Sequence, residues 1–259
     1  MDLGISGRKA IVCASSRGLG KACARALAEA GCEVVINGLD AARLEATAKE
    51  IASATGAKVT PVAGNLSTPE GQQALLKACP QPDILVNNNG GPPPRDFRQL
   101  TREQMLEGVV ANMIVAIELI QKVIGPMTER KFGRIVNITS SSVKMPLAGL
   151  DLSSGARAGL TAFLAGVART VADKNVTINN ILPGAFNTDR LSGVLTNTAK
   201  QKGITKEEAA AQRAATIPAH RFGQPDEFGA ACAFLCSAHA GYITGQNLLI
   251  DGGTFSGAF

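Results

Sequence analysis

Three residues of this chain are candidates for a shared reaction centre. Ser140 lies in the cluster TSSS at 139–142, and Ser153 and Arg157 lie in SSGAR, which opens a long, mostly apolar helical stretch. A hydroxyl can polarise a carbonyl or relay a proton, and a guanidinium brings a fixed charge and a planar fork of donors. Residues four apart on a helix face the same way, so Arg157 is expected one turn beyond Ser153 on the same side. Lys144, four residues after Ser140, would add an ammonium at the mouth of the site. A neighbouring cation would make that ammonium a readier proton donor, and a water held by the two serines is the other candidate. A helix start, surface serines and a solvated lysine are the competing reading of the same residues. No GxSxG elbow surrounds either serine, so a serine hydrolase has little support.

Composition narrows the classes. With 259 residues, 45 % of them apolar and 4 % aromatic, the chain has room for a large core of Val/Ile strands and Ala/Gly helices. The net charge of +5 comes from Lys and Arg scattered among acids, with no basic run and few aromatics to stack on bases. A solvated surface or an anionic small molecule therefore fits better than a nucleic-acid partner. The six cysteines form no CxxC pair and stand near no histidine at metal spacing, so no metal site is expected. The start of the chain does not have the basic-then-apolar design of a signal peptide, and no apolar run approaches the length of a membrane span. No membrane partner and a reducing cytoplasm are the expectation.

β-rich runs at 9–13, 33–37, 58–63, 83–87, 134–139, 177–182 and 247–250 alternate with helical patterns near 18–30, 41–55, 70–79, 101–124, 152–173 and 226–237. That alternation predicts an α/β fold, a Rossmann-type doubly wound parallel sheet with helices on both faces, in one domain over 1–259. The polar stretch 186–225 suits helices in a mobile lid, and GGPPPRDF at 90–97 cannot be helical through its prolines. Both follow strand ends, where parallel sheets bind ligands.

The first strand runs into Cys13-Ala14-Ser15-Ser16-Arg17-Gly18-Leu19-Gly20 and then a helix. Such a turn offers backbone N–H groups and a positive helix end to a pyrophosphate. This stretch resembles the TGxxxGxG loop of the short-chain dehydrogenase/reductase family, with Cys13 and Ala14 replacing Thr and the first Gly. Ala14 is tolerable there if it keeps φ negative. NNNG at 87–90 is similar to the family's NNAG, Asn112 falls at its helix asparagine, and LPGAFNT at 182–188 and YITGQNLLIDGG at 242–253 resemble its later motifs. These matches run in order over nearly the whole chain.

The resemblance implies a dinucleotide bound by Ser15, Ser16, Arg17, Gly18, Leu19 and Gly20, with Asn37, Asn65 and Leu66 towards the adenine. Asn89 and Gly90 would lie on the ribose side, and Pro183, Gly184 and Thr188 at the nicotinamide. Gly38 stands where NAD-binding members carry an acid, and Arg17 where many NADP-using members carry a base, so NADP(H) is favoured over NAD(H). Asp40 is expected to cap the next helix.

The family's chemistry rests on Asn, Ser, Tyr and Lys, which carries over to Asn112 and Ser140 but meets Ser153 and Arg157 at the YxxxK positions. Tyr242, the one tyrosine, belongs to the C-terminal motif. Serine is a weaker acid than a phenol and reaches less far. Arg157 is left to hold ribose. The implied activity is a carbonyl/alcohol interconversion, with 3-oxoacyl carrier-protein reductases as familiar relatives; a dinucleotide-binding protein without turnover is the alternative. His220 and His239 are expected at a lid return and a helix end. The small residues Gly155, Ala158, Gly159, Ala162, Ala165 and Gly166 suit the helix pairing that gives the family homodimers or homotetramers.

Overall fold

The computed structural model describes residues 1–258. Seven strands form one parallel sheet: β1 (Lys9–Val12), β2 (Glu33–Gly38), β3 (Val59–Ala63), β4 (Ile84–Asn87), β5 (Gly133–Ile138), β6 (Val176–Pro183) and β7 (Asn247–Ile250), in the order β3-β2-β1-β4-β5-β6-β7. The order reverses between β1 and β4, the switch point where such sheets open a ligand crevice at their carboxyl ends. Every pairing is parallel. The central strands β1, β2, β4, β5 and β6 are buried on both faces, whereas the edge strands β3 and β7 are partly exposed.

The connecting helices are α1 (Gly18–Glu29), α2 (Ala41–Thr55), α3 (Pro69–Ala78), α4 (Arg102–Val109), α5 (Val115–Glu129), α6 (Asp151–Val171), α7 (Asp189–Lys202), α8 (Lys206–Ala215) and α9 (Pro225–Leu235). Local chemistry sets their ends. The Asp40 side chain accepts from Arg43 N, as expected of a cap, and Thr68 and Thr188 do the same for α3 and α7. Gly56 and Gly203 close α2 and α7 in the left-handed conformation.

Strand residues alternate between two cores. Ala10 and Val12 face Leu27, Leu44, Phe228 and Cys232 of α1, α2 and α9. Ile11, Leu85 and Ile135 face Leu75, Leu119, Leu160 and Leu164 of α3, α5 and α6. All six cysteines are free and buried in these layers. Burial pushes the Cys13 thiol up to about 12 and makes it inert as a nucleophile. The segment expected as a lid folds as α7 and α8, which share a small apolar cluster of Leu195, Ala199 and Ala209.

Two expectations are corrected. The helical run 101–124 is not one regular helix: a π-helical turn at Val110–Ile114 separates α4 from α5. The run as a whole, Arg102–Glu129, also reaches 28 residues with a mean hydropathy of 1.6 over its most apolar window, long and apolar enough by length and composition to cross a membrane. Charged ends and interspersed polar residues hid that length in the sequence. Its buried face, with Val115, Leu119, Ile120, Val123 and Met127, packs into the second core.

Candidate active site and cofactor cleft

The turn between β1 and α1 is built by backbone geometry. Gly18 has φ +59, and a Cβ on Gly20 would lie 2.4 Å from the Ala14 carbonyl oxygen and 3.0 Å from Ser15 Cα. Only glycine lets the helix start so close to the strand end. Ala14 itself has φ 43. The expectation that it keeps φ negative is therefore wrong. The turn demands a left-handed residue, and neighbours impose it: Asn88 Nδ2 donates to Ala14 O at 3.1 Å, and Ala14 N donates to Asn37 Oδ1 at 3.4 Å. A methyl group in that region costs roughly 1–2 kcal/mol.

Several residues expected as cofactor contacts also hold this end of the sheet together through bonds of their own. Ser15 Oγ donates to Val12 O at 2.6 Å, and Asn37 Nδ2 donates to Val62 O and Gly64 O, both at 3.1 Å. Leu66 packs in the second core, with its carbonyl accepting from Gln72 Nε2 at 3.0 Å. Asn65 is exposed and its side chain accepts from Ser67 N. A Cβ on Gly38 would sit 3.1 Å from both Cβ and Oγ of Ser16. A side chain there would need Ser16 to give by a few tenths of an ångström, and with glycine in place the end of β2 presents no carboxylate to an adenine ribose. Arg17 lies exposed beside it, 3.5 Å from Asp189 at the start of α7. A Cβ on Gly18 would meet the Thr188 methyl at 3.7 Å, which puts the start of α7 directly over the loop. Gly184 donates to Ile250 O at 2.8 Å, and a Cβ there would strike Asp251 at 2.7 Å, so Pro183 and Gly184 hold α7's approach tightly against β7.

The other half of the crevice is built by side chains. Arg157, 7 % exposed, donates from Nε to Ser153 Oγ at 3.3 Å, from Nη1 to Ile138 O at 2.8 Å and from Nη2 to Asn89 O at 3.3 Å. The sequence expectation that Ser153 and Arg157 face the same way holds. The guanidinium ties the ends of β4 and β5 together, and two of its five N–H groups have no acceptor in this set. Burial, then the charge of Arg190, lowers its pKa to about 10. Ser140 starts a short turn, where its Oγ accepts from Ser142 N at 3.1 Å. Each serine oxygen thus receives a hydrogen bond, leaving its own proton free to donate.

Asn112 sits inside the π-helical turn, 4 % exposed, with Nδ2 donating to Gly108 O at 3.2 Å. Its Oδ1 is buried without a partner, as is Asn87 Oδ1. Both residues line a cavity of ≈ 20 Å³ with Asn89, Asn137 and Arg157, room for about one water. Asn89, read from sequence as a turn residue or ribose neighbour, bonds through Nδ2 to Ala111 O at 3.0 Å and through Oδ1 to Gly90 N at 2.8 Å. The asparagine therefore locks the π-helical turn to the β4 loop. π-turns of this kind frequently mark functional sites.

Lys144 is not drawn into this group. Its ammonium lies 5.5 Å from the centre of the Phe255 ring, and it bonds neither serine among the described residues. Tyr242 is fully exposed just before β7, and His239 Nε2 contacts Asp2 O at 2.8 Å. Sequence reasoning missed Arg190 and the pairing of Asn89 with Ala111. An arginine two residues past Thr188 was visible, but nothing in the sequence says that it folds back onto Gly91, where a Cβ would lie 3.1 Å from its Nη atoms.

The crevice fits a dinucleotide: a loop where a Cβ has no room, a helix N-terminus above it, and hydroxyls and a guanidinium at the far end. Comparison with known proteins agrees. A family profile described as Enoyl-(Acyl carrier protein) reductase matches residues 13–254. The NADPH-dependent reductase BacG of Bacillus subtilis is 33 % identical, over 96 % of this chain and 98 % of its own. The 3-oxoacyl-[acyl-carrier-protein] reductase FabG of Aquifex aeolicus is 34 % identical, over 98 % of this chain and all of its own, 100 %. The crystal structure of L-sorbose reductase from Gluconobacter frateurii, complexed with NADPH and L-sorbose, superposes with a TM-score of 0.94 at 28 % identity, covering 99 % of this chain and 100 % of that one. On sequence, sheet order and crevice alike, the chain belongs to the short-chain dehydrogenase/reductase family.

Proposed function

We propose that this protein is a cytoplasmic, NADPH-dependent reductase that converts the carbonyl of a small molecule into an alcohol, with Ser153 and Arg157 in place of a Tyr–Lys pair. The observation that carries the reading is the Arg157 Nε bond to Ser153 Oγ at 3.3 Å, deep in the crevice. Relatives named as NADPH-dependent reductases support the cofactor. So do Arg17, an exposed cation in the glycine turn, and Gly38, which offers no carboxylate at the end of β2.

Gly18, Leu19, Gly20 and Ser16 would hold the pyrophosphate side, Asn89 and Gly90 the ribose, and Thr188 the nicotinamide amide. When bound, the reduced nicotinamide supplies a hydride for the carbonyl carbon. Ser140 Oγ donates to the carbonyl oxygen and withdraws charge from it. Ser153 Oγ gives that oxygen its proton, and the Arg157 cation stabilises the serine oxygen left behind until solvent returns the proton. Lys144 is the alternative donor, and would have to leave Phe255 to act. Asn112 fixes the π-helical turn beside the cavity.

Arg157 spends three donors on the protein itself, which favours one second reading: a dinucleotide-binding protein with no turnover. Calorimetry with NADPH and NADH, followed by NADPH oxidation against a panel of ketones and aldehydes, separates the two. Tighter NADPH than NADH binding and turnover lost in Ser140→Ala are expected. Tight NADPH binding with no carbonyl reduced would leave the binder.

A further inference from the structure

Arg190, the second residue of α7, plays no part in the reaction just described. Its guanidinium rests on the backbone of Gly91, reaching from the β6 side of the crevice to the β4 loop. At the start of the same turn, Arg157 Nη2 donates to Asn89 O at 3.3 Å. Two cations thus reach the three residues Asn89–Gly91. Neither forms an ion pair among the described residues, and Asp189, the acid next to Arg190, turns to Arg17 instead. Arg190 is one of the two causes that push the Arg157 pKa down to about 10. Arg157 is buried and Arg190 is exposed at the mouth of the crevice, so an anion entering there would meet the solvent-facing cation first and the buried one behind it.

The chemistry of that anion follows from the donors. Guanidinium forks match the two oxygens of a carboxylate. Arg157 has two N–H groups left over, and no hydrogen bond to a described residue occupies Arg190. The cofactor's phosphates already have the glycine turn, the start of α1 and Arg17. An anion beside Arg157 would instead lie next to Ser153, where the reacting carbonyl must sit. We propose that Arg157 and Arg190 form a carboxylate seat, and that the substrate is an oxo acid whose carbonyl lies one or two carbons from its carboxylate. The assignment rests on the reductase reading for the carbonyl, but the seat itself can be tested by binding alone.

The test uses the full chain saturated with NADP⁺ or NADPH. Pyruvate, 3-oxobutanoate and 3-oxohexanoate are titrated by calorimetry into the NADP⁺ complex, with their methyl esters as neutral controls. Turnover of the same six compounds is measured with NADPH. Acids should bind and react better than their esters. Arg190→Gln should weaken acid binding and raise KM for acids roughly 10- to 100-fold, leaving the esters and NADPH affinity within about twofold. Arg190→Lys should recover part of the loss. If NADPH affinity falls with acid affinity in Arg190→Gln, the residue serves the cofactor's phosphates and the seat is overturned. Esters binding as well as acids, or no acid binding at all, overturns it too. Acid binding that depends on Arg190 without any turnover keeps the seat and removes the reductase reading.

Discussion

Two arginines are buried against this sheet, at opposite edges, and they are satisfied to different degrees. Arg134, 1 % exposed at the amino edge of β5, donates to Ser237 O, Gly133 O, Asn175 O and Asn175 Oδ1 and lies 4.5 Å from the centre of the Phe132 ring. Arg157, at the carboxyl edge, makes three bonds, has no ring beneath it and faces another cation. Burial lowers both pKa values. The pattern extends beyond the arginines. At the amino edge, Asp83 takes Lys9 N and lies within ion-pair reach of Arg8 and Arg130. The carboxyl edge holds the partnerless Asn87 Oδ1 and Asn112 Oδ1 and the left-handed Ala14. The amino edge pairs its charged groups and leaves only small hydroxyls, those of Thr177 and Ser237, without partners, whereas the carboxyl edge leaves a cation, two amide oxygens and a left-handed alanine open where ligands bind.

The largest effect is expected at the open arginine. Ser153→Tyr with Arg157→Lys restores a phenol and an ammonium one turn apart, and general acid catalysis is worth roughly 10²–10⁴-fold. Carbonyl reduction by the double variant should rise within that range. Replacing the guanidinium would also release the carbonyls of Ile138 and Asn89, so thermal melting is recorded alongside. A stable double variant that binds NADPH but reduces no faster than the parent would show that the phenol has no room there, and that Ser153 is not in the acid's place.

At the closed arginine the loss should be structural. Arg134→Met leaves the carbonyls of Ser237 and Asn175 without their donor and should destabilise the fold by about 3–5 kcal/mol in urea unfolding. NADPH affinity of the folded fraction should not change. Arg157→Met should do the reverse, with a smaller loss of stability and a clear loss of ligand binding. If the two variants lose stability equally and cofactor affinity equally, the contrast between the edges is wrong.

The sequence disclosed the order of strands and helices and the backbone part of the open edge, but not the bonding of Arg134 or Asp83 at the closed one. Apolar strands alternating with helical patterns, the Asp40 cap and the run Gly18–Gly20 are local patterns, and each reports its own geometry. Ser153 and Arg157 could be put on one helix face because a helix turn has a fixed offset. What stayed hidden depends on contacts between distant segments. Asn89 pinning the π-helical turn spans twenty-two residues, and Arg190 on Gly91 joins two loops far apart in the chain. The negative φ expected of Ala14 failed for the same reason: Asn37 and Asn88, from β2 and the end of β4, hold it where alanine alone would not go.

That residue gives the smallest and most specific prediction. Ala14 occupies a left-handed conformation, φ 43, with its N–H and carbonyl both bonded, so the backbone cannot relax without losing contacts. Glycine adopts the region without the steric cost, but it also loosens the unfolded chain, which offsets part of the gain. Ala14→Gly should therefore stabilise the protein by roughly 0.5–1 kcal/mol in urea unfolding, with NADPH affinity unchanged or slightly improved. The sign carries the argument. Mutation of Ala30, where φ is −80, to glycine should destabilise instead, by about the usual helix-end cost. If Ala14→Gly lowers stability as Ala30→Gly does, position 14 is not strained, and the open edge stores its cost in unpaired polar groups alone.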